Sequence, residues 1–268
     1  MAIVSLDMYS YELAMNTQVS MILPERRGVP CAVHTGDYPI LYLLHGHGQD
    51  HTSWLRLSRI ELYLQNTDVI VVMPNIGRSF YVDGVNTHHY GSYLTEELPR
   101  ALRNWFHLSS DREHTFIAGM SMGGYGALHA ALSHPEVYGG VCAMSAVIQP
   151  WKTDFRGRAD KGIAIPVTPE INQNIANIFG PGDSCEGSSY DLQHLAQHLN
   201  ASEGPKPRIL QVCGDDDPLY AANEEFAKFM QEKCPNIDYT WQPGDGIHDF
   251  YFWDRETVTM LEFFGLLP

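Results

Sequence analysis

Five unbroken apolar runs, each stopped by a polar or glycine-rich turn, constrain this chain more than any other feature. Ile40-Leu41-Tyr42-Leu43-Leu44 stops at His45-Gly46-His47-Gly48, and Val69-Ile70-Val71-Val72-Met73 stops at Pro74-Asn75. Thr115-Phe116-Ile117-Ala118 stops at a serine-bearing turn, Gly140-Val141-Cys142-Ala143-Met144 at Ser145, and Arg208-Ile209-Leu210-Gln211-Val212-Cys213 at Gly214-Asp215. A strand apolar on both sides needs cover on both faces, as in a parallel sheet sandwiched between helices. Helical segments fit between the runs: Ser53 to Gln65 carries Trp54, Leu57, Ile60, Leu62 and Leu64, and Gly91 to Phe106 carries Leu94, Leu98, Leu102 and Trp105. This alternation predicts an α/β fold with a mostly parallel, doubly wound sheet. In such sheets the chemistry gathers beyond the carboxyl ends of the strands, where all five polar stops fall.

Residues 1 to about 35 read differently. Met8 to Leu13 and Gln18 to Pro24 alternate and turn like antiparallel edge strands, punctuated by Pro24 and Gly28-Val29-Pro30. From Ile148 to Pro207 the rhythm breaks: there is no clear strand, turn residues abound, and aromatics are scattered. Lying between two sheet strands, this stretch reads as a cap-like insertion at about 148–207 in a single domain spanning 1–268.

The chain carries 17 Lys and Arg against 32 Asp and Glu, a net charge of −15 that would repel nucleic acid and anionic lipid. Neither is expected as a partner, and a strongly anionic substrate is disfavoured. Met1-Ala2-Ile3-Val4-Ser5-Leu6-Asp7 lacks the basic and apolar regions of a signal peptide, and no run approaches a membrane span. The five cysteines (Cys31, Cys142, Cys185, Cys213, Cys234) are odd in number and form no C-x-x-C pair, which predicts a reduced, cytoplasmic setting.

Gly119-Met120-Ser121-Met122-Gly123 has the G-x-S-x-G form that holds a serine on a sharp strand-to-helix turn. The run before it is strand-like, and Gly123-Gly124-Tyr125-Gly126-Ala127 after it opens a helix with small residues where strand and helix must approach. A serine hydroxyl is a weak nucleophile and needs a base, which in turn needs an orienting acid. Asp215-Asp216-Asp217 follows the strand ending at Cys213. Asp217, before Pro218, stands far enough past the strand to turn back, with Asp216 and Asp215 as alternatives. His248 follows the strand-like Ile237 to Trp241 in the glycine-rich loop Gly244-Asp245-Gly246-Ile247-His248. It is the predicted base among 13 histidines. His129, His134, His88-His89 and the i, i+4 pair His194/His198 lack partner ligands or an H-E-x-x-H acid, so no metal and no cofactor is implied. The developing oxyanion needs two N–H donors. They are expected from the amides of Met122 and His47, in a loop whose glycines permit close approach. His45 and the aromatics Trp151, Phe155 and Tyr190 are candidate substrate-lining residues.

Four motifs together carry a family resemblance: Leu43-Leu44-His45-Gly46-His47, Tyr93-Leu94-Thr95-Glu96-Glu97-Leu98-Pro99, the Ser121 turn through Ala127, and Gly246-Ile247-His248-Asp249-Phe250 with Trp253. The chain resembles the esterase D group of α/β-hydrolases, which includes tributyrin-esterase-like carboxylesterases, S-formylglutathione hydrolases, feruloyl and acetyl-xylan esterases and the antigen 85 mycolyltransferases. It looks most like the small tributyrin-esterase-like branch. The resemblance implies an α/β-hydrolase fold with Ser121 as nucleophile, Asp217 as acid, His248 as base, and the His47 and Met122 amides as oxyanion donors. It also implies a homo-oligomer. One position departs: His47 stands where the formylglutathione and mycolyl branches often carry leucine.

The activity implied is hydrolysis of short-chain carboxylic esters, small-molecule substrates, through an acyl-enzyme. The alternatives are an S-formylglutathione hydrolase, a feruloyl or acetyl-xylan esterase, and an acyltransferase, all with the same machinery. A catalytically dead binding module stands further off, because all three triad positions are filled.

Overall fold

Each apolar run forms a strand because its two sets of alternating side chains find separate cores. In the computed structural model, which describes residues 1–25, 37–106, 108–153 and 170–267, the strands are β1 (Ala2–Ser10), β2 (Met15–Leu23), β3 (Ile40–Leu44), β4 (Ile70–Pro74), β5 (Thr115–Met120), β6 (Gly140–Met144), β7 (Arg208–Gly214) and β8 (Tyr239–Gly244). They form one sheet in the order β1-β2-β4-β3-β5-β6-β7-β8. β1 and β2 pair antiparallel, β2 joins β4 antiparallel, and every other pairing is parallel. The expected antiparallel edge is therefore present, as is the doubly wound parallel centre.

Tyr42, Leu44, Ile117, Val141, Ala143 and Ile209 point into one core, while Leu41, Leu43, Phe116, Ala118, Cys142, Met144, Leu210 and Val212 point into the other. That two-residue alternation on buried strands accounts for the absence of polar interruption in the runs. The helices are α1 (Ser53–Leu57), α2 (Ile60–Tyr63), α3 (Tyr90–Ser92), α4 (Leu98–Trp105), α5 (Met122–Ser133), α6 (Glu170–Phe179), α7 (Leu192–Ala201), α8 (Tyr220–Lys233) and α9 (Phe250–Phe264). α1, α2 and α9 cover the second core, through Trp54, Ile60, Phe252, Trp253, Met260 and Leu261. α4 to α8 contribute to the first, with Leu98, Leu128, Ile178, Leu199 and Phe226 among its members.

Two helical expectations are corrected. The segment from Ser53 to Gln65 is not one helix: Ser58 is extended (φ −129°, ψ 173°), and Asp254 of α9 accepts the Arg59 amide at 2.6 Å. Between Gly91 and Phe106 the helix passes through a π turn at Tyr93–Glu97 ahead of Pro99, which has no N–H to continue the regular ladder. That turn carries the Glu97 carboxylate to the β1–β2 connection, where it accepts the Tyr11 amide at 2.7 Å and the Ser10 hydroxyl. Within the stretch read as an insertion, the described residues hold α6 and α7 and no strand. Phe155 and Cys31 lie outside the described residues. No described helix is long and apolar enough to cross a membrane.

Candidate active site

The nucleophile turn is built from glycines placed where nothing larger fits. Ser121 sits at φ 56°, ψ −118° between β5 and α5, a backbone conformation that a serine adopts only when its surroundings enforce it. They do so from three directions. Its amide donates to Met144 O at the end of β6 (2.9 Å), and its carbonyl accepts from Gly124 N (3.0 Å) and Val147 N (3.3 Å). A Cβ on Gly123 would lie 2.6 Å from Leu44 O and 2.7 Å from His45 O, and one on Gly119 would fall on the Gly123 carbonyl. The turn is thus clamped between β3 and β6.

His248 Nε2 lies 3.0 Å from Ser121 Oγ, and His248 Nδ1 lies 2.8 Å from Asp217 Oδ2. The Asp217 side chain is fully buried, and its other oxygen accepts the Leu219 amide at 2.8 Å. A carboxylate facing Nδ1 selects the tautomer that carries its proton there, which leaves the Nε2 lone pair towards the serine hydroxyl. The three aspartates after β7 divide by direction. Asp217 turns inward to the imidazole, whereas Asp215 and Asp216 lie on the surface and fasten the histidine loop. Asp215 N donates to Gly244 O (2.9 Å), Asp216 N to Gly246 O (3.0 Å), and Gly246 N to Asp215 Oδ1 (3.3 Å).

The oxyanion loop leaves β3 as a closed turn. Gly46 N donates to Gln49 Oε1 (3.0 Å) and Gln49 N to Gly46 O (3.2 Å), while Gly48 takes φ 76°. Met122 opens α5, where a first-turn amide has no intrahelical acceptor. His47 is half-buried, its ring 6.2 Å from Phe80. Burial and the Arg78 guanidinium push its pKa down, while Asn174 of α6 opposes them.

His45 departs from its expected place at the substrate. Its ring is 1% exposed and both nitrogens are engaged within the fold. Nδ1 donates to Gly46 O (2.9 Å) and Nε2 accepts from Ile76 N (3.3 Å). Tyr81 donates its hydroxyl to His45 O (2.9 Å). The residue therefore ties the oxyanion loop to the segment after β4 and is closed to substrate; burial lowers its pKa to about 4. Trp151 and Tyr190 pack edge-on against Phe179, at 5.6 and 5.3 Å, in a cluster with Phe80 and Tyr125 that extends to His47. The Tyr190 hydroxyl donates to Asp83 O at 2.8 Å. Phe80 and Asn174 border this region without having been singled out. Phe80 holds φ 55°, a left-handed conformation for a bulky residue that no local pattern signals, and Asn174 lies in the stretch without strand rhythm. Among the described residues no group of three or more His, Cys, Asp or Glu is placed to hold a metal ion.

Comparison with known proteins establishes the family and the fold. The model of the Esterase family matches residues 10–263. An acetyl esterase of Caldicellulosiruptor saccharolyticus is 30% identical over 273 residues, covering 98% of this chain and 97% of its own. Among solved structures, fluorophosphonate-binding serine hydrolase F of Staphylococcus aureus superposes with a TM-score of 0.84 at 28% identity, covering 98% of both chains. An S-formylglutathione hydrolase of the same organism gives 0.82, also at 28% identity and 98% of both.

Proposed function

The chain belongs to the esterase D family of α/β-hydrolases and is a serine carboxylic ester hydrolase; from that premise we propose that Ser121, His248 and Asp217 cleave short-chain acyl esters through an acyl-enzyme. The observation that carries the assignment is the Ser121–His248–Asp217 relay of 3.0 and 2.8 Å contacts. Ser121 Oγ attacks the ester carbonyl carbon as His248 Nε2 takes the hydroxyl proton. Asp217 holds the imidazole in register and stabilises the imidazolium by charge, without itself taking the proton. The His47 and Met122 amides receive the negative charge that develops on the carbonyl oxygen, each such donor being worth a few kcal/mol of barrier, roughly 3. The bond to the alcohol oxygen then breaks, and that oxygen leaves with the proton from Nε2. Water repeats the sequence in the second half: it gives a proton to Nε2, attacks the acyl carbon, and Ser121 departs with the proton.

A small acyl group, acetyl above all, is supported by the likeness to an acetyl esterase along nearly the whole chain. We assign substrate choice to the stretch 148–207, since α6 brings Asn174 towards His47 beside the oxyanion loop. The buried free thiols of Cys142, Cys185, Cys213 and Cys234 support a reducing, cytoplasmic location. Ser121→Ala is expected to abolish p-nitrophenyl acetate hydrolysis and fluorophosphonate labelling of the folded protein. Retention of most activity would sink the assignment. Acyl length is read by comparing acetyl, butyryl and octanoyl esters, with a thioester in parallel; rates should fall as the chain lengthens.

A further inference from the structure

Asp217 fixes one nitrogen of His248, but the contact of the other with Ser121 must break and re-form during the reaction, and one lasting hydrogen bond leaves an imidazole free to pivot. A second contact restrains the ring. Trp253, in the first turn of α9 and 4% exposed, meets the His248 ring edge-to-face, with centroids 4.9 Å apart and planes at 87°. Its own orientation is fixed in turn, since the indole Nε1 donates to Ser145 Oγ at 3.2 Å.

Ser145 is an unusual anchor. It directly follows β6, is fully buried, and holds φ 47°, a strained value for a residue with a side chain. Its amide donates to Val212 O in β7 (2.8 Å), which keeps the turn in place. The residue before it, Met144, accepts the Ser121 amide through its carbonyl. Nucleophile and base are therefore both referenced to two consecutive residues at the end of one strand. On the far side of Trp253 the packing continues through Phe250 (5.2 Å, 82°) to Trp54 (5.5 Å, 77°). The Trp54 indole donates to Leu44 O (3.0 Å), where β3 gives way to the oxyanion loop.

We infer that Trp253, anchored by Ser145, is a positioning residue for His248, and that the Met144–Ser145 turn sets the serine–histidine distance. This rests on His248 being the base. A tryptophan suits the task because its ring supplies a rigid wall and its N–H, once buried, demands an acceptor that fixes the rotamer. Misplacement of a catalytic group by a fraction of an ångström costs rate without costing substrate binding. The alternative is that Trp253 only fills the core, and the two readings differ in what they do to kcat and KM.

The test compares Ser145→Ala, Trp253→Phe, their double variant and Trp253→Leu by kcat, KM, fluorophosphonate labelling rate and melting temperature. Ser145→Ala and Trp253→Phe should each lower kcat and labelling about 5- to 20-fold, and Trp253→Leu about 100-fold, with KM within about twofold. The double variant should be no slower than the slower single one, because both remove the same hydrogen bond. In a His248→Ala background, Trp253→Leu should not change the residual rate. Unaltered kcat in folded Trp253→Leu would overturn the inference, as would a rise in KM at constant kcat or multiplicative effects in the double variant. If Trp253→Leu fails to fold, Ser145→Ala and Trp253→Phe still decide it. High activity in His248→Ala itself would instead overturn the assignment of the base.

Discussion

Asp215, Asp216 and Asp217 are chemically identical neighbours whose environments give them different work. Asp217 has its side chain sealed from solvent and spends one oxygen on His248 and the other on Leu219 N. Asp215 stands on the surface and accepts the Gly246 amide. Asp217→Asn should drop kcat by about 10³- to 10⁴-fold, because an amide can present its N–H to Nδ1 and favour the wrong tautomer. Asp215→Asn keeps an oxygen that can accept the Gly246 amide, so it only weakens one exposed backbone tie and should change kcat less than about tenfold, at a stability cost of about 1 kcal/mol at most. Equal losses from the two, measured on p-nitrophenyl acetate, would contradict this division. The positions of serine and acid loop were legible in the sequence because each follows a strand of distinctive apolar pattern, and that of the histidine because it follows a strand-like run in a glycine-rich loop. The inward turn of Asp217 was expected from its distance past the strand, with Asp216 and Asp215 left open, because the choice is completed by Gly214 and Gly246 meeting across two loops far apart in the chain. His45 was misjudged for a related reason: its partner Ile76 lies 31 residues away, on another strand's exit.

At the scale of elements, the strand before Ser121 and the helix after it work as one device, and its tolerance is set by backbone rather than side chains. A methyl group on Gly123 would press on two carbonyl oxygens of β3 and its exit, at 2.6 and 2.7 Å, neither of which can swing aside. Gly123→Ala should therefore destabilise by about 1–3 kcal/mol or more and abolish activity, since relief would have to come from shifting the turn against the oxyanion loop. Gly204→Ala is the control: the nearest atom to its Cβ would be Ser202 Oγ at 3.8 Å, so melting temperature and rate should barely move. A Gly123→Ala variant with native melting temperature would show that β3 yields more than its pairing with β4 and β5 suggests. The small residues after Ser121 advertised this close approach in the sequence. The break at Ser58 and the π turn at Tyr93–Glu97 did not show, because the apolar spacing on either side continues in phase while tertiary partners, Asp254 and the β1–β2 connection, redirect the backbone. The helices α6 and α7 were obscured for the opposite reason, by flanking Gly, Pro, Asn and Asp that mask a modest periodicity.

For the molecule as a whole, two effects of acid oppose each other. With a net charge of −15 at pH 7, protonating some of the 13 histidines relieves self-repulsion and favours the folded state. His45 acts the other way. Its Nε2 accepts the Ile76 amide inside the fold, so the protonated ring loses an acceptor and carries a charge at a buried position. Its pKa falls from 6.5 in the unfolded chain to about 4 in the folded one. Between those values the unfolded state binds more protons, so this contribution is intact above pH 6.5 and is lost progressively as pH falls towards 4. At pH 5 the loss from this one ring is about 2 kcal/mol, more than an exposed ion pair usually contributes. Urea unfolding at pH 7 and pH 5 should show the difference directly. His45→Gln, uncharged at both values, should start less stable at pH 7 yet lose about 2 kcal/mol less than the wild type on acidification. If both proteins lose the same amount, the acid sensitivity resides in other groups. If the variant loses more, His45 is protonated in the folded state and the tie between the oxyanion loop and Ile76 is made by some other contact.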